Sequence, residues 1–424
     1  MPPICVPISK IVTSKPACVK YFAAHSPQAP APMTAMRLSF GAFLMRFSAM
    51  GAASFILLIC SGGALAAMMQ IVSLLCKRRT NQMTKNRQVL LASRPDGAPS
   101  AANFELVESD NPTPGEGQML LRTIYLSLDP YMRGRMNAGK SYAEPVPVGG
   151  VMEGGTVSVV EQSNNGKFQE GDILVGRCGW QDYVVSDGTS LDKVDPGAAP
   201  ISTALGVLGM PGLTAYSGLL RLGKPKEAET LVVAAASGAV GANVGQIAKI
   251  KGCRAVGVAG GPDKCEFVVN ELGFDACVDH SADNFEAQLA AACPDGIDIY
   301  FENVAGRVLE AVIPLFNFWA RMPVCGLIAQ YNMQDLPQGT NMLPALMRAV
   351  LTYRLHIEGF IVRDFADMHA DFQRDMGQWV REGKVKYKEH RVAGLENAPE
   401  TLMGLLKGEN FGKVVIEVSE DPTA

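Results

Sequence analysis

A chain of 424 residues that is 48% apolar and 19% charged, with 43 Gly and 26 Pro, is not a disordered polypeptide, a collagen-like fibre or a coiled coil. Its length allows two to three domains of roughly 100–200 residues. A net charge of −4 gives no reason to expect a nucleic-acid partner. Ten Cys are too sparse for a disulfide-stapled scaffold and include no C-x-x-C pair, so they read as small buried hydrophobes in a reducing compartment.

Charge is unevenly distributed. Eight basic residues and no acidic one precede Met83, which leaves 30 basic and 42 acidic residues from Met83 onward. Within the first 82 residues, Phe47–Cys76 is an uncharged run of 30 residues followed directly by Lys77-Arg78-Arg79. A membrane span needs about 20 such residues, and the basic triplet resembles a positive-inside flank. Three readings stay open for residues 1–82. They are an inner-membrane anchor through residues 47–76, a targeting peptide cleaved near Ala64–Ala66, or a stretch upstream of a true start at Met83.

From Met83 the chain reads as strands and then alternating strands and helices. Gln88–Ser93 and Gln118–Ser127 are strand-like and separated by the turn-rich NPTPGEG. Glycine-punctuated strands are expected in Gly149–Val160, Asp172–Val175 and Gln181–Val185, as in a rolled β domain. Near Leu213 the texture changes. Thr230–Ala235 is a fully apolar strand, Ala239–Lys251 a helix, Arg254–Val258 a strand and Lys264–Leu272 a helix. Ile297–Phe301 and Val324–Leu327 are further strands. Strands buried on both faces and alternating with helices predict a doubly wound parallel sheet. After about Pro344 the chain turns mixed again and ends on a strand, Gly412–Val418.

The segment Ala236-Ser237-Gly238-Ala239-Val240-Gly241 follows an apolar strand and opens a helix, the context of a dinucleotide-binding turn. Its glycines let backbone approach a pyrophosphate, and the helix N-terminus offers N–H groups and a positive dipole end. Ala236 replaces the first Gly of the usual motif, and Gly245 extends the small-residue face. The tip of the next strand selects the cofactor. NAD enzymes place a carboxylate there for the ribose 2′-OH. This chain reads Val258-Ala259-Gly260-Gly261-Pro262-Asp263-Lys264, with no acid at the strand tip and with Lys264 able to neutralise a 2′-phosphate. Asp263 is the competing carboxylate, and a helix start is its other role. NADP(H) is therefore favoured. Metal catalysis is not expected: the body has four His, and Cys277 with His280 is the sole close Cys/His pair, two ligands where three or four are needed. No Gly-x-Ser-x-Gly elbow marks a hydrolase. Hydride chemistry carried by a cofactor remains.

The body resembles the zinc-independent medium-chain dehydrogenases/reductases, in the branch of prostaglandin, alkenal and curcumin reductases. Five stretches in order carry the resemblance: Leu126–Met136 (LSLDPYMRGRM), Gly209–Leu220 (GMPGLTAYSGLL), Val232–Cys253 (VVAAASGAVGANVGQIAKIKGC), Tyr300–Gly306 (YFENVAG) and Leu406–Ile416 (LKGENFGKVVI). It implies an α/β architecture in which a Rossmann domain, residues 213–345, is inserted into a GroES-like β-rich catalytic domain made of residues 83–212 and 346–424. It further implies that Ser237, Gly238, Ala239, Val240 and Gly241 line the pyrophosphate and that Lys264 meets the 2′-phosphate. Asn303 lies past the strand Ile297–Phe301, where it serves the site or caps a turn. The segment Cys325, Gly326, Leu327, Ile328, Ala329, Gln330 and Tyr331 passes along the nicotinamide, as do Phe360, Ile361 and Val362, and Asn410 touches the cofactor from the last loop. His280 stands where eukaryotic members commonly carry Tyr, and its imidazole could donate to a phosphate oxygen.

The resemblance implies reduction of a carbon–carbon double bond conjugated to a carbonyl, with hydride passing from NADPH to the β-carbon and charge developing on the carbonyl oxygen. Tyr331 is the candidate donor to that oxygen, unless it is a packing tyrosine. Tyr131 and Met132 either shape an apolar slot for a small conjugated carbonyl substrate or pack the core. A cytoplasmic homodimer is expected, with membrane association only if the first 82 residues are retained. A zinc-independent quinone reductase and a membrane-tethered NADPH-binding protein are the competing functions.

Overall fold

The computed structural model describes residues 85–333 and 341–424. The expectations for residues 1–82, including the uncharged run 47–76, fall outside the described residues. Among the described residues no helix is long and apolar enough to cross a membrane.

The first part of the body is antiparallel. β1 (Asn86–Leu91) pairs with β2 (Phe104–Ser109) as a separate two-stranded sheet. β3 (Met119–Ser127), β4 (Thr156–Ser163), β5 (Ile173–Gly176), β6 (Tyr183–Ser186) and β7 (Asp192–Lys193) form most of a second sheet. The short helix α1 (Tyr131–Arg135) follows β3. Two C-terminal strands, β14 (Glu389–Ala393) and β15 (Lys413–Glu417), complete that sheet in the order β14-β15-β3-β4-β5-β7, with β6 on β3. Val415↔Ser127 and Ile416↔Leu126 register the two ends of the chain against each other.

The intervening chain builds a six-stranded, wholly parallel sheet. Its strands are β8 (Thr230–Ala234), β9 (Arg254–Ala259), β10 (Ala276–Asp279), β11 (Ile297–Phe301), β12 (Phe316–Val324) and β13 (His356–Gly359), in the order β10-β9-β8-β11-β12-β13. That is a Rossmann order, reversing direction beside β8. Helices cover both faces: α2 (Met210–Ser217), α3 (Gly241–Ile250) and α8 (His369–Arg381) one, α5 (Phe285–Ala292), α6 (Arg307–Val312) and α7 (Leu343–Tyr353) the other, with α4 (Pro262–Asn270) joining β9 to β10. Alternation along β8 explains both cores. Leu231 and Val233 face Val244, Ile247 and Phe372, whereas Val232 and Ala234 face Phe285, Leu289 and Val312.

Two boundaries differ from the sequence reading. The parallel sheet continues past residue 345, because β13 pairs with β12 and Phe372 and Met376 of α8 pack in the same core. The strand expected at Val324–Leu327 is instead β12, ending at Val324. Its exposed Phe318 and Trp319 and the positive φ of Trp319 break the apolar run that marks the other strands, while Cys325–Tyr331 leaves the sheet as a loop.

Candidate active site

The carboxyl ends of five parallel strands open on one side of a cleft of about 660 Å³, within the size range of small-molecule sites. Ser237–Gly241 follow β8, Val258–Gly260 end β9, Asn303 and Val304 follow β11, Cys325 and Gly326 follow β12, and Phe360–Val362 follow β13. The antiparallel domain supplies the opposite wall through Leu128–Tyr131, Arg135, Tyr142, Arg177 and Lys413.

The turn after β8 is built for close backbone approach. A Cβ on Gly241 would stand 2.3 Å from the Ala235 carbonyl oxygen, and one on Gly245 would stand 1.8 Å from Phe274 Cζ. Neither contact leaves room for a side chain. Ala235 takes φ +54, and Gly238 N–H closes the turn on Ala235 O at 2.9 Å. No side chain caps the start of α3, whose Ala242, Asn243 and Val244 N–H groups turn back on the carbonyls of Gly238 and Val240, so the Ser237–Gly241 backbone and the positive end of the helix dipole are what the cleft meets. This cradle fits a dinucleotide pyrophosphate.

At the other end of the cleft, the β9–α4 turn passes through Gly260 and Gly261, the latter at φ +87. Asp279 at the tip of β10 accepts from the N–H groups of Gly261 at 2.9 Å and Ser281 at 2.8 Å, which holds its carboxyl below the usual range. That carboxylate is committed to the loops and not to a ribose. Asp263 lies in the first turn of α4, away from the cleft lining, where a carboxylate suits the helix dipole. Lys264 lines the cleft, and burial pulls its ammonium below its ordinary value. Its Nζ donates to Gly408 O at 2.6 Å, which ties α4 to the last loop of the antiparallel domain. A cation, and no free carboxylate, thus faces the adenosine end, which fits a 2′-phosphate.

The middle of the cleft hangs on the turn after β11. Asn303 Nδ2 donates to Ala234 O at 2.9 Å, locking the end of β8 to β11. Glu302, fully buried, accepts from Val304 and Ala305 N–H at 2.6 and 2.8 Å, and burial pushes its carboxyl up. Its backbone carbonyl takes Cys325 N–H, while Asn303 and Val304 carbonyls take the N–H groups of Ile328 and Ala329. The 325–331 loop is therefore clamped to this turn. Tyr331, at its end, lines the cleft, and its hydroxyl accepts from Leu327 N–H at 3.3 Å. Burial raises the Tyr331 phenol, so it stays protonated.

Of the residues named from the sequence, Ser237, Gly238, Ala239, Val240, Gly241, Lys264, His280, Asn303, Cys325, Gly326, Ile328, Ala329, Tyr331, Phe360, Ile361, Val362, Asn410 and Tyr131 line the cleft. Three do not. Met132 is wholly buried among Val89, Trp180 and Leu402, because the turn of α1 that points Tyr131 at the cleft points its neighbour inward. Leu327 and Gln330 turn away from the lining, Gln330 to solvent. The sequence reading missed a group on the antiparallel wall. Arg135, in an ion pair with Glu153 at 2.5 Å, lies 4.4 Å from the Tyr142 ring centre and 5.6 Å from that of Tyr131. It also missed the buried Lys413–Asp129 pair at 2.8 Å, in which Lys413 further donates to Leu128 O and Asp129 accepts from Ser127. Arg135 and Asp129 fall inside LSLDPYMRGRM and Lys413 inside GKVVI, so only their three-dimensional convergence was hidden.

A β-rich domain closed over the switch point of a six-stranded Rossmann sheet, with a glycine cradle and a lysine at its two ends, defines a dinucleotide-dependent oxidoreductase. Two family models match in tandem, "N-terminal domain of oxidoreductase" over residues 87–194 and "Zinc-binding dehydrogenase" over residues 239–380. The NADPH-dependent curcumin reductase of Escherichia coli (strain K12) is 59% identical over 341 residues, 80% of this chain and 99% of that protein. The 2-alkenal reductase (NADP(+)-dependent) of Nicotiana tabacum is 38% identical over 79% of this chain and 98% of its own length. Among solved structures, CurA of Vibrio vulnificus in complex with NADPH is 55% identical, with TM-score 0.77, over 79% of this chain and all of that one. The chain belongs to the medium-chain dehydrogenases/reductases, in the zinc-independent branch of curcumin, alkenal and prostaglandin reductases.

Proposed function

We infer that the protein is an NADPH-dependent reductase of the carbon–carbon double bond of small, hydrophobic conjugated ketones and aldehydes. The observation that carries this is one continuous cleft holding the glycine cradle, Lys264 and the protonated phenol of Tyr331. When bound, NADPH supplies the hydride that reaches the β-carbon. Ser237–Gly241 hold the pyrophosphate, Lys264 neutralises the 2′-phosphate, and Asn303 fixes the strand end on which that half of the site is built. Tyr331 donates its hydroxyl proton in a hydrogen bond to the substrate carbonyl oxygen, where negative charge grows as the double bond is reduced. Tyr131, Tyr142 and Phe360 supply flat apolar walls suited to a conjugated substrate. NADPH oxidation by the full chain against enones, enals and quinones, with NADP+ reduction against alcohols, tests the reading. It fails if quinones or alcohols, and not enones or enals, drive turnover.

The expected homodimer has a candidate surface. Among the described residues β13 pairs only with β12, which leaves its outer edge open there, and Trp319 (58% exposed), Met347 and Leu351 (80% exposed) lie exposed on the neighbouring strand and α7. An identical edge strand related by a two-fold axis would satisfy the unpaired backbone groups and cover this apolar surface. Sedimentation of the full chain tests it, with Leu351→Lys expected to shift the protein toward monomer. NADPH dependence and six free thiols among the described residues suit a reducing, cytoplasmic setting.

A further inference from the structure

Cys265 and Cys277 meet beside the adenosine end of the cleft. Cys265 sits in the first turn of α4, next to Lys264, and Cys277 sits on β10, three residues before His280. The Cys277 Sγ lies beneath α4: a Cβ on Gly257 of the adjacent strand would contact both Cys277 Sγ, at 3.2 Å, and Val268 Cγ1 of α4, at 2.9 Å. Cys265 lies three residues before Val268, hence on the same face of the helix. The face of α4 that carries Cys265 and Val268 thus lies over Cys277 Sγ, and Cys265 is partly open to solvent. The neighbouring Cys277 thiol holds the Cys265 thiol below its ordinary value. Among the described residues the other four cysteines, Cys178, Cys253, Cys293 and Cys325, are free thiols.

We propose that Cys265 and Cys277 form a reversible disulfide that weakens NADPH binding at its 2′-phosphate. With a hydroperoxide as oxidant, the Cys265 thiolate attacks the peroxide oxygen to give a sulfenic acid and water or an alcohol. The Cys277 sulfur then displaces hydroxide from that sulfenic acid, leaving an S–S bond and a second water; two thiols lose two electrons and two protons in all. Closing the sulfurs to about 2.05 Å draws the first turn of α4 against β10. Lys264 is carried with that turn, and its link to Gly408 O is strained or broken. The proposal rests on the reading of Lys264 as the 2′-phosphate contact, so NADH, which has no such phosphate, should be indifferent to the bond.

The test treats the full chain with hydrogen peroxide, maps its peptides without reduction, and titrates NADPH and NADH before and after dithiothreitol. A Cys265–Cys277 linked peptide is expected, with NADPH affinity lowered roughly fivefold to tenfold, NADH affinity within twofold, and recovery on reduction. Cys265→Ser and Cys277→Ser should each retain NADPH binding and abolish the response to peroxide. Absence of the linked peptide, its formation without loss of NADPH affinity, or equal losses for both cofactors would overturn the proposal. Lys264→Ala tests the underlying reading separately: unchanged preference for NADPH over NADH in that variant refutes the role of Lys264, whatever the peptide map shows.

Discussion

Replacing Tyr331 by Phe removes a single oxygen whose structural and chemical contributions separate cleanly. In the folded protein that oxygen accepts one long hydrogen bond, from Leu327 N–H at 3.3 Å. Its loss should cost less than about 1 kcal/mol of stability. During reduction the same hydroxyl would face a forming oxyanion in a water-poor cleft, where removing one such donor typically costs about 2.7–4 kcal/mol. A second donor, such as a cofactor ribose hydroxyl, would take up part of that load. An expected loss of about 2 kcal/mol corresponds to a roughly 30-fold fall in kcat. Steady-state NADPH oxidation with a small enone, alongside a fluorescence titration of NADPH and a thermal melt, reads the three quantities separately. Because burial raises the phenol, any alkaline loss of kcat from this group in the parent should set in at higher pH than for a free tyrosine. A variant with kcat within twofold of the parent, or one whose loss is matched by weaker NADPH binding, refutes Tyr331 as the donor.

Gly241→Ala would put a methyl 2.3 Å from the Ala235 carbonyl, backbone against backbone, and must shift the turn. NADPH should bind at least tenfold more weakly by titration. Lys413→Met leaves Asp129 buried with Ser127 as its remaining side-chain partner among the described residues and should lower the unfolding free energy by about 3–5 kcal/mol in urea melts. Adding Asp129→Asn should recover most of the loss. Glu302→Gln keeps an oxygen to accept from Val304 and Ala305 while removing a buried charge. Burial raises the Glu302 pKa on folding, so its contribution is fully present below the unfolded value and is lost as pH rises through the folded one. The variant should therefore gain stability relative to the parent between acidic and neutral pH, read as Tm against pH; a relative gain by the parent over the same rise would contradict the burial argument.

The parallel sheet was legible because its strands are buried on both faces. Leu231–Ala234 is a continuous apolar run and Ile297–Phe301 is apolar but for Asp298, and the structure has strands there. The glycine turn was legible for a different reason: sterics alone require Gly at 241 and 245, so sequence and backbone carry the same information. Where burial is one-sided, the signal failed. β12 carries exposed Phe318 and Trp319, and β13 is exposed throughout, so neither reads as a strand of a doubly covered sheet. That is why the inserted domain was ended too early.

The antiparallel wall of the cleft shows a deeper reason for what stayed hidden. Asp129 and Lys413 are 284 residues apart in sequence and meet only because β15 pairs with β3. Neither residue type marks a site by itself, and a buried ion pair is costly to desolvate unless geometry is closely matched. The same pairing brings the 405–412 loop over α4, so that Gly408 O meets Lys264 and Asn410 lines the cleft. The last strand therefore does two things at once: it closes the catalytic sheet and delivers the loop that covers the adenosine end. Lys264, Asn303 and Tyr331 could be named from the glycine-rich turn and the family resemblance, whereas the wall that faces them depends on a register between chain ends that no local pattern encodes.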